Sequence, residues 1–383
     1  FGYEISADMV DFCSNTSLHN TAILGYYGVV EKPRDFNELQ NGFAKALSNA
    51  ENDEIKVFTA KHYLNLLLDA GDLDKAKQLA EEQLEIAISD DAKNAMSTLL
   101  AGILMAQLQV PYVRQELDKI HNLQLQSIAQ FEAKGLKIQA GMLLVDAAEI
   151  ANFKEDFIAS KELINRAIQY FKEEDIPEFL GEAGFKKAIL LYTWSKNGSP
   201  QYYKAAINAF QDVLKVFKRD THPQKFADVH HNLALIYSEI PVAADEKPMW
   251  TAFCASSFKE VLAFYTKDKY PYENAMASHN YATALMHFPP AKIHDNLDKA
   301  SGLFEEALEV RTAEAYPFER ALTLLNQLEL GWLTHNETNE EELKKYEEMK
   351  EKAEEVKTLV TDSGILEQAE KHLQELEKVK SLI

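Results

Sequence analysis

Apolar positions recur at helical spacing along almost the whole chain, and the clearest series lies in its C-terminal half. Phe210, Val213, Leu214 and Phe217 stand at i, i+3, i+4 and i+7 and draw one apolar face along a helix. The same pattern returns in phase with three dipeptides, His222-Pro223, Tyr270-Pro271 and Tyr316-Pro317, whose prolines are separated by 48 and 46 residues. Nine residues beyond each proline stands an asparagine (Asn232, Asn280, Asn326), and thirteen before it a phenylalanine (Phe210, Phe258, Phe304). Nine before it is a leucine: Leu214, Leu262 or Leu308. Proline cannot continue a helix but is tolerated in its first turn, so each unit predicts a helix, a short break and a second helix. A single hairpin cannot bury such a face, and stacking of hairpins follows.

The N-terminal half predicts shorter units of the same kind. Residues 63–84 read as two helices around Gly71-Asp72, where glycine supplies a left-handed cap and aspartate starts the next helix. Residues 92–109 and 112–131 read as another pair. In 136–171 the run Met142, Leu143, Leu144, Val145, Ala147 and Ala148 faces Leu163, Ile164, Ala167, Ile168 and Phe171. The predicted architecture is all-α, a right-handed superhelical solenoid of antiparallel helix pairs, with an array over residues 37–336.

The two ends read differently. Residues 1–36 include Gly25-Tyr26-Tyr27-Gly28-Val29-Val30 and Pro33, without helical periodicity of any length, and are expected to be irregular. They are either the remnant of an upstream domain or a cap on the first hairpin. Residues 337–383 are heavily charged, yet Tyr346, Met349, Ala353, Val356 and Val360 draw one narrow stripe, and Leu366, Ala369, Leu373 and Leu376 a second beyond the Asp362-Ser363-Gly364 break. This helix pair reads as a terminal cap, with a self-association seam as the alternative.

Composition supports the array: a chain of 383 residues exceeds what one core usually serves, and it holds only 14 glycines and 11 prolines. The formal charge of −21 opposes nucleic-acid binding. The most apolar run, 99–110, is too short to cross a bilayer and contains Gln107 and Gln109. Two cysteines, Cys13 and Cys254, make no disulfide framework or paired-thiolate metal site, which favours a cytoplasmic setting.

Candidate chemistry is sparse. His231 and His279 stand 48 residues apart at equivalent places in successive units, so the repeat itself accounts for them, and no His-Glu-x-x-His motif accompanies them. No metal or other cofactor is expected. Cys254, within Ala252-Phe253-Cys254-Ala255, reads as a small residue at a helix crossing rather than a nucleophile. Phosphate-cradling glycine loops and nucleophile elbows are lacking in the sequence, so no enzymatic activity is expected.

Asn232-Leu233-Ala234-x-x-Tyr237 resembles the first-helix core of the tetratricopeptide repeat family. Asn296-Leu297-Asp298-Lys299-Ala300-x-x-Leu303-Phe304-x-x-Ala307-Leu308 resembles that family's second helix. The resemblance covers residues 55–332 and is nearest to a bacterial subgroup with stretched loops; Gln327 and Leu328 depart from the family's pattern. It implies that the first helix of each hairpin lines a concave groove, placing Asp228, His231 and Leu235 beside Met276, His279 and Thr283, with Glu329 and Trp332 in the next unit. Such a strip suits an extended peptide or a partner helix. The implied function is a non-catalytic scaffold holding a protein, peptide or partner domain. The alternative is a regulatory sensor whose curvature responds to a peptide or small ligand and controls a partner or fused effector.

Overall fold

The computed structural model describes residues 6–29, 35–290 and 295–380. They hold eighteen helices and no strand, and 78% of the chain is helical. None of these helices is long and apolar enough to cross a membrane. By packing the chain divides into two units, residues 1–187 and 188–383.

Unit 1 begins with α1 (Ala7–Thr16), α2 (Leu18–Tyr26) and α3 (Phe36–Ser48), followed by α4 (Asp53–Asp69), α5 (Leu73–Ile86) and α6 (Asp90–Ala106). It continues through α7 (Arg114–Ala133), α8 (Lys137–Phe153) and α9 (Phe157–Glu173), and α10 (Pro177–Lys196) spans the division. From α1 to α9 each helix packs on the next, while α2 also touches α4, and α4 touches α6. The Gly71-Asp72 turn forms as its chemistry requires: Gly71 takes φ +73°, where a side chain is disfavoured, and the Asp72 carboxylate accepts the N–H of Lys75.

Residues 1–36 are not irregular throughout, which corrects the sequence reading. Ser6 and Ser17 cap two short helices by accepting the N–H groups of Met9 and Asn20. Gly25, read as a loop signal, is buried inside α2. Three side-chain hydrogen bonds then tie this segment to α4: His19 to Thr59 (2.6 Å), Tyr26 to Asp69 (2.6 Å) and Tyr27 to His62 (2.9 Å). Helices of nine or ten residues have too few turns for a period to show in sequence. Val30 and Pro33 lie outside the described residues.

Unit 2 contains α11 (Tyr202–Val213), α12 (Pro223–Glu239), α13 (Lys247–Phe264), α14 (Pro271–Met286), α15 (Asn296–Val310), α16 (Pro317–Leu333), α17 (Asn339–Leu359) and α18 (Ser363–Lys380). The proline-phased break is one structure repeated three times. His222, Tyr270 and Tyr316 share φ near −140° and ψ near +60° (−137/61, −136/62 and −141/59), and each proline opens a helix. Their N–H groups donate to the carbonyls of Lys218, Thr266 and Thr312 at 2.8, 2.8 and 3.0 Å. Phe210, Phe258 and Phe304, the repeated aromatics, are fully buried.

Even-numbered helices α12, α14, α16 and α18 each touch the next even one and form one layer of unit 2. The predicted C-terminal stripes pack inside the chain: Met349, Ala353 and Val356 join Ala369, Leu373 and Leu376 against Leu324, Leu325 and Leu328 of α16. The second stripe runs through Ile365, which is buried, and leaves the predicted Leu366 half-exposed.

Candidate functional site

The structure brings the predicted strip together and leaves most of it half-buried, with His231 buried and Glu329 exposed. His231, 8% exposed on α12, packs against the Phe258 ring, and its Nε2 meets the Asn280 amide nitrogen of α14 at 2.9 Å. An amide N–H can only donate, so Nε2 is the acceptor and the imidazole is neutral. One repeat later His279 lies edge-on to Phe304, with Nδ1 3.1 Å from Thr323 Oγ1 and Nε2 3.4 Å from the Asn326 amide nitrogen. Thr283 accepts a second N–H of Asn326 at 2.8 Å and donates to the His279 carbonyl at 2.9 Å. Burial pushes the His231 imidazole down to about 4; burial and the Arg311 guanidinium push that of His279 down to about 3.

The remaining predicted residues also serve the packing of helices. The Asp228 carboxylate accepts the hydroxyl of Tyr265, the residue that ends α13. Trp332 on α16 donates its indole N–H to His372 Nδ1 on α18 at 2.9 Å, and Glu329 lies 3.3 Å from Nε2 of that ring. The indole fixes the tautomer, leaving the His372 proton on Nε2 towards the carboxylate. Leu235 is partly buried against the core around Cys254, Phe258 and Tyr281, and Met276 is half-buried. Only Glu329 of the eight stays well exposed. The repeat signal was real, but it marked side chains that hold one repeat to the next.

An open apolar surface lies instead in unit 1. Between α4 and α6 is a cavity of about 240 Å³ lined by Val57, Phe58, Lys61, Ala92, Ala95 and Met96. Phe58 is 59% exposed and stands edge-on to His62. Glu54, at the cavity's end, accepts the N–H and O–H of Ser89 at 2.7 and 3.0 Å, and these donors hold its carboxyl below the ordinary range. That clasp fixes the start of α6 beside α4. The signal legible in sequence was Phe58 itself, an aromatic on the polar α4 face of Glu54, Lys61 and Asn65.

Other reactive groups are quiet. The Cys254 thiol is wholly buried and pushed up to about 12, far from a thiolate nucleophile. Among the described residues no three His, Cys, Asp or Glu side chains are grouped so as to hold a metal ion.

With its repeated hairpins, repeated turn and layered even helices, this chain is an all-α protein built of stacked helical hairpins. No protein-family model and no curated protein matches its sequence. Among solved structures it is similar to a Rap protein complexed with competence and sporulation factor, at 11% identity over 94% of this chain and 90% of that one, with a TM-score of 0.49. It is also similar to the TPR domain of P58(IPK), at 14% identity over 94% and 98% of the two chains and a TM-score of 0.25. Yeast Tom70 gives 11% identity over 95% of each chain and a TM-score of 0.27.

Proposed function

We propose that this protein is a non-catalytic scaffold that holds a protein or peptide partner, and that the partner inserts an apolar side chain between α4 and α6. The observation that carries the reading is the cavity walled by Val57, Phe58, Ala95 and Met96, with Phe58 left largely in water. An aromatic held open beside a preformed apolar cavity is costly to keep solvated and gains by being covered. In unit 2, by contrast, His231, Asn280, His279, Asn326, Thr283, Trp332 and His372 of the even helices are engaged with one another.

Substituting Ala95→Trp fills the cavity without touching the α4–α6 clasp. Affinity capture with the wild-type chain and with this variant, matched for helicity by circular dichroism, tests the reading. A partner held by the wild type and lost by the variant is the expected result; equal retention by both removes the groove from consideration.

A further inference from the structure

Unit 2 carries three imidazoles on α12 and α14, and none of them meets a carboxylate among the described residues. His230 Nδ1 lies 3.3 Å from Ser257 Oγ on α13, His231 faces the Asn280 amide, and His279 lies between Thr323 and Asn326 of α16. The charges that act on them have the sign of an imidazolium. Arg219, in the turn before α12 and ion-paired with Glu260 of α13, acts on His230. Arg311, at the end of α15 and only 4% exposed, donates to Thr323 Oγ1 at 2.8 Å and acts on His279. Glu319 of α16 and Tyr272 of α14 act on Arg311, and on His231 burial acts alone. Arg311 occupies the place that Phe217 and Tyr265 hold in the two preceding repeats, six residues before the proline, so the third repeat has a buried cation where the others have a ring.

We propose that these imidazoles make the α12–α14–α16 layer an acid-labile seam, which opens when they become charged while the α8–α9 hairpin of unit 1 stays closed. The direction follows from burial. An imidazole in water titrates at about 6.5, whereas His230 and His231 are held at about 4 and His279 at about 3. The opened helices therefore bind protons that the closed ones refuse. The closed layer is fully stable above about pH 6.5 and loses stability as the pH falls from there through 4 and 3.

The α8–α9 hairpin holds no histidine, and its half-buried Asp146 behaves oppositely. Burial and neighbouring Glu149 push that carboxyl up to about 6, against the pull of Lys186, so its protonation favours the closed hairpin. Acid thus works in opposite directions on this layer and on the α8–α9 hairpin; His62 on α4 and His121 on α7, also held down by burial, lie outside that hairpin.

Hydrogen exchange of the full chain, followed by mass spectrometry at pH 7.5 and 4.5 and corrected for the intrinsic pH dependence of amides, reads this directly. The opening equilibrium of α14 is expected to rise about a hundredfold for one released histidine, while that of α8–α9 does not rise. His279→Gln keeps a hydrogen-bonding side chain that cannot titrate, and most of that rise should vanish from α14. If His279→Gln folds poorly, His231→Gln is read in α12 in the same way, where it removes one histidine's share. Equal acid responses of α12, α14 and α8–α9, or a response of undiminished size in the glutamine variant that folds, overturn the proposal.

Discussion

Asn280 of α14 donates its side-chain amide to Nε2 of His231 on α12 at 2.9 Å, and Asn326 of α16 repeats the approach to His279 at 3.4 Å. These residues recur in sequence because each pair fastens one hairpin to the next. Removing the imidazole leaves a cavity and a buried amide without its acceptor. The double substitution His231→Ala, His279→Ala is therefore expected to lower stability by about 1–3 kcal/mol per site. Urea denaturation measures it; a double variant as stable as wild type would show that neither ring is a structural fastener.

The Trp332–His372 bond makes the same kind of prediction for the C-terminal end. Truncation after Asn336 removes α17 and α18 and bares Leu324, Leu325 and Leu328 of α16. Loss of solubility is expected, with a larger apparent size on gel filtration as the exposed face self-associates. A truncated chain that remains soluble and monomeric would show that these helices are an appendage.

Two glycines separate packing from helix propensity. A Cβ on Gly141 would lie 2.7 Å from the Phe171 ring, which is buried and rigid, whereas one on Gly331 would lie 2.7 Å from the sulfur of Met349, a flexible side chain. Alanine improves helix propensity at both sites by about 1 kcal/mol, but overpacking typically costs about 1–3 kcal/mol. Gly141→Ala should destabilise the protein in thermal unfolding, and Gly331→Ala should come out nearer neutral. The reverse ranking would mean that the Phe171 ring moves more freely than its surroundings suggest.

At the N-terminal end, α2 is held to α4 by Tyr26 and Asp69, Tyr27 and His62, and His19 and Thr59. Deleting residues 1–29 exposes Phe43 and Tyr63, which stack at 5.2 Å beneath that segment's core contacts. Faster amide exchange in α3 and α4 is the expected outcome, with α8 and α9 unchanged. Unaltered protection of α4 would show that the first two helices add nothing to the hairpins behind them.

The sequence by itself determined what is local or periodic. Gly71-Asp72 specified its turn because a positive φ and a capping carboxylate are properties of those two residues. The prolines at 223, 271 and 317 marked a repeated break because a ring at the first helical position is compatible with little else. Only the tertiary structure decided which way equivalent residues point. His231 and Phe58 both interrupt a helix face with an unexpected ring, yet one is sealed against Phe258 and Asn280 while the other stands over an open cavity. That difference depends on partners 49 and 34 to 38 residues away in sequence, Asn280 for His231 and Ala92, Ala95 and Met96 of α6 for Phe58. A period fixes which residues share a face; what covers that face is set by the neighbouring helices.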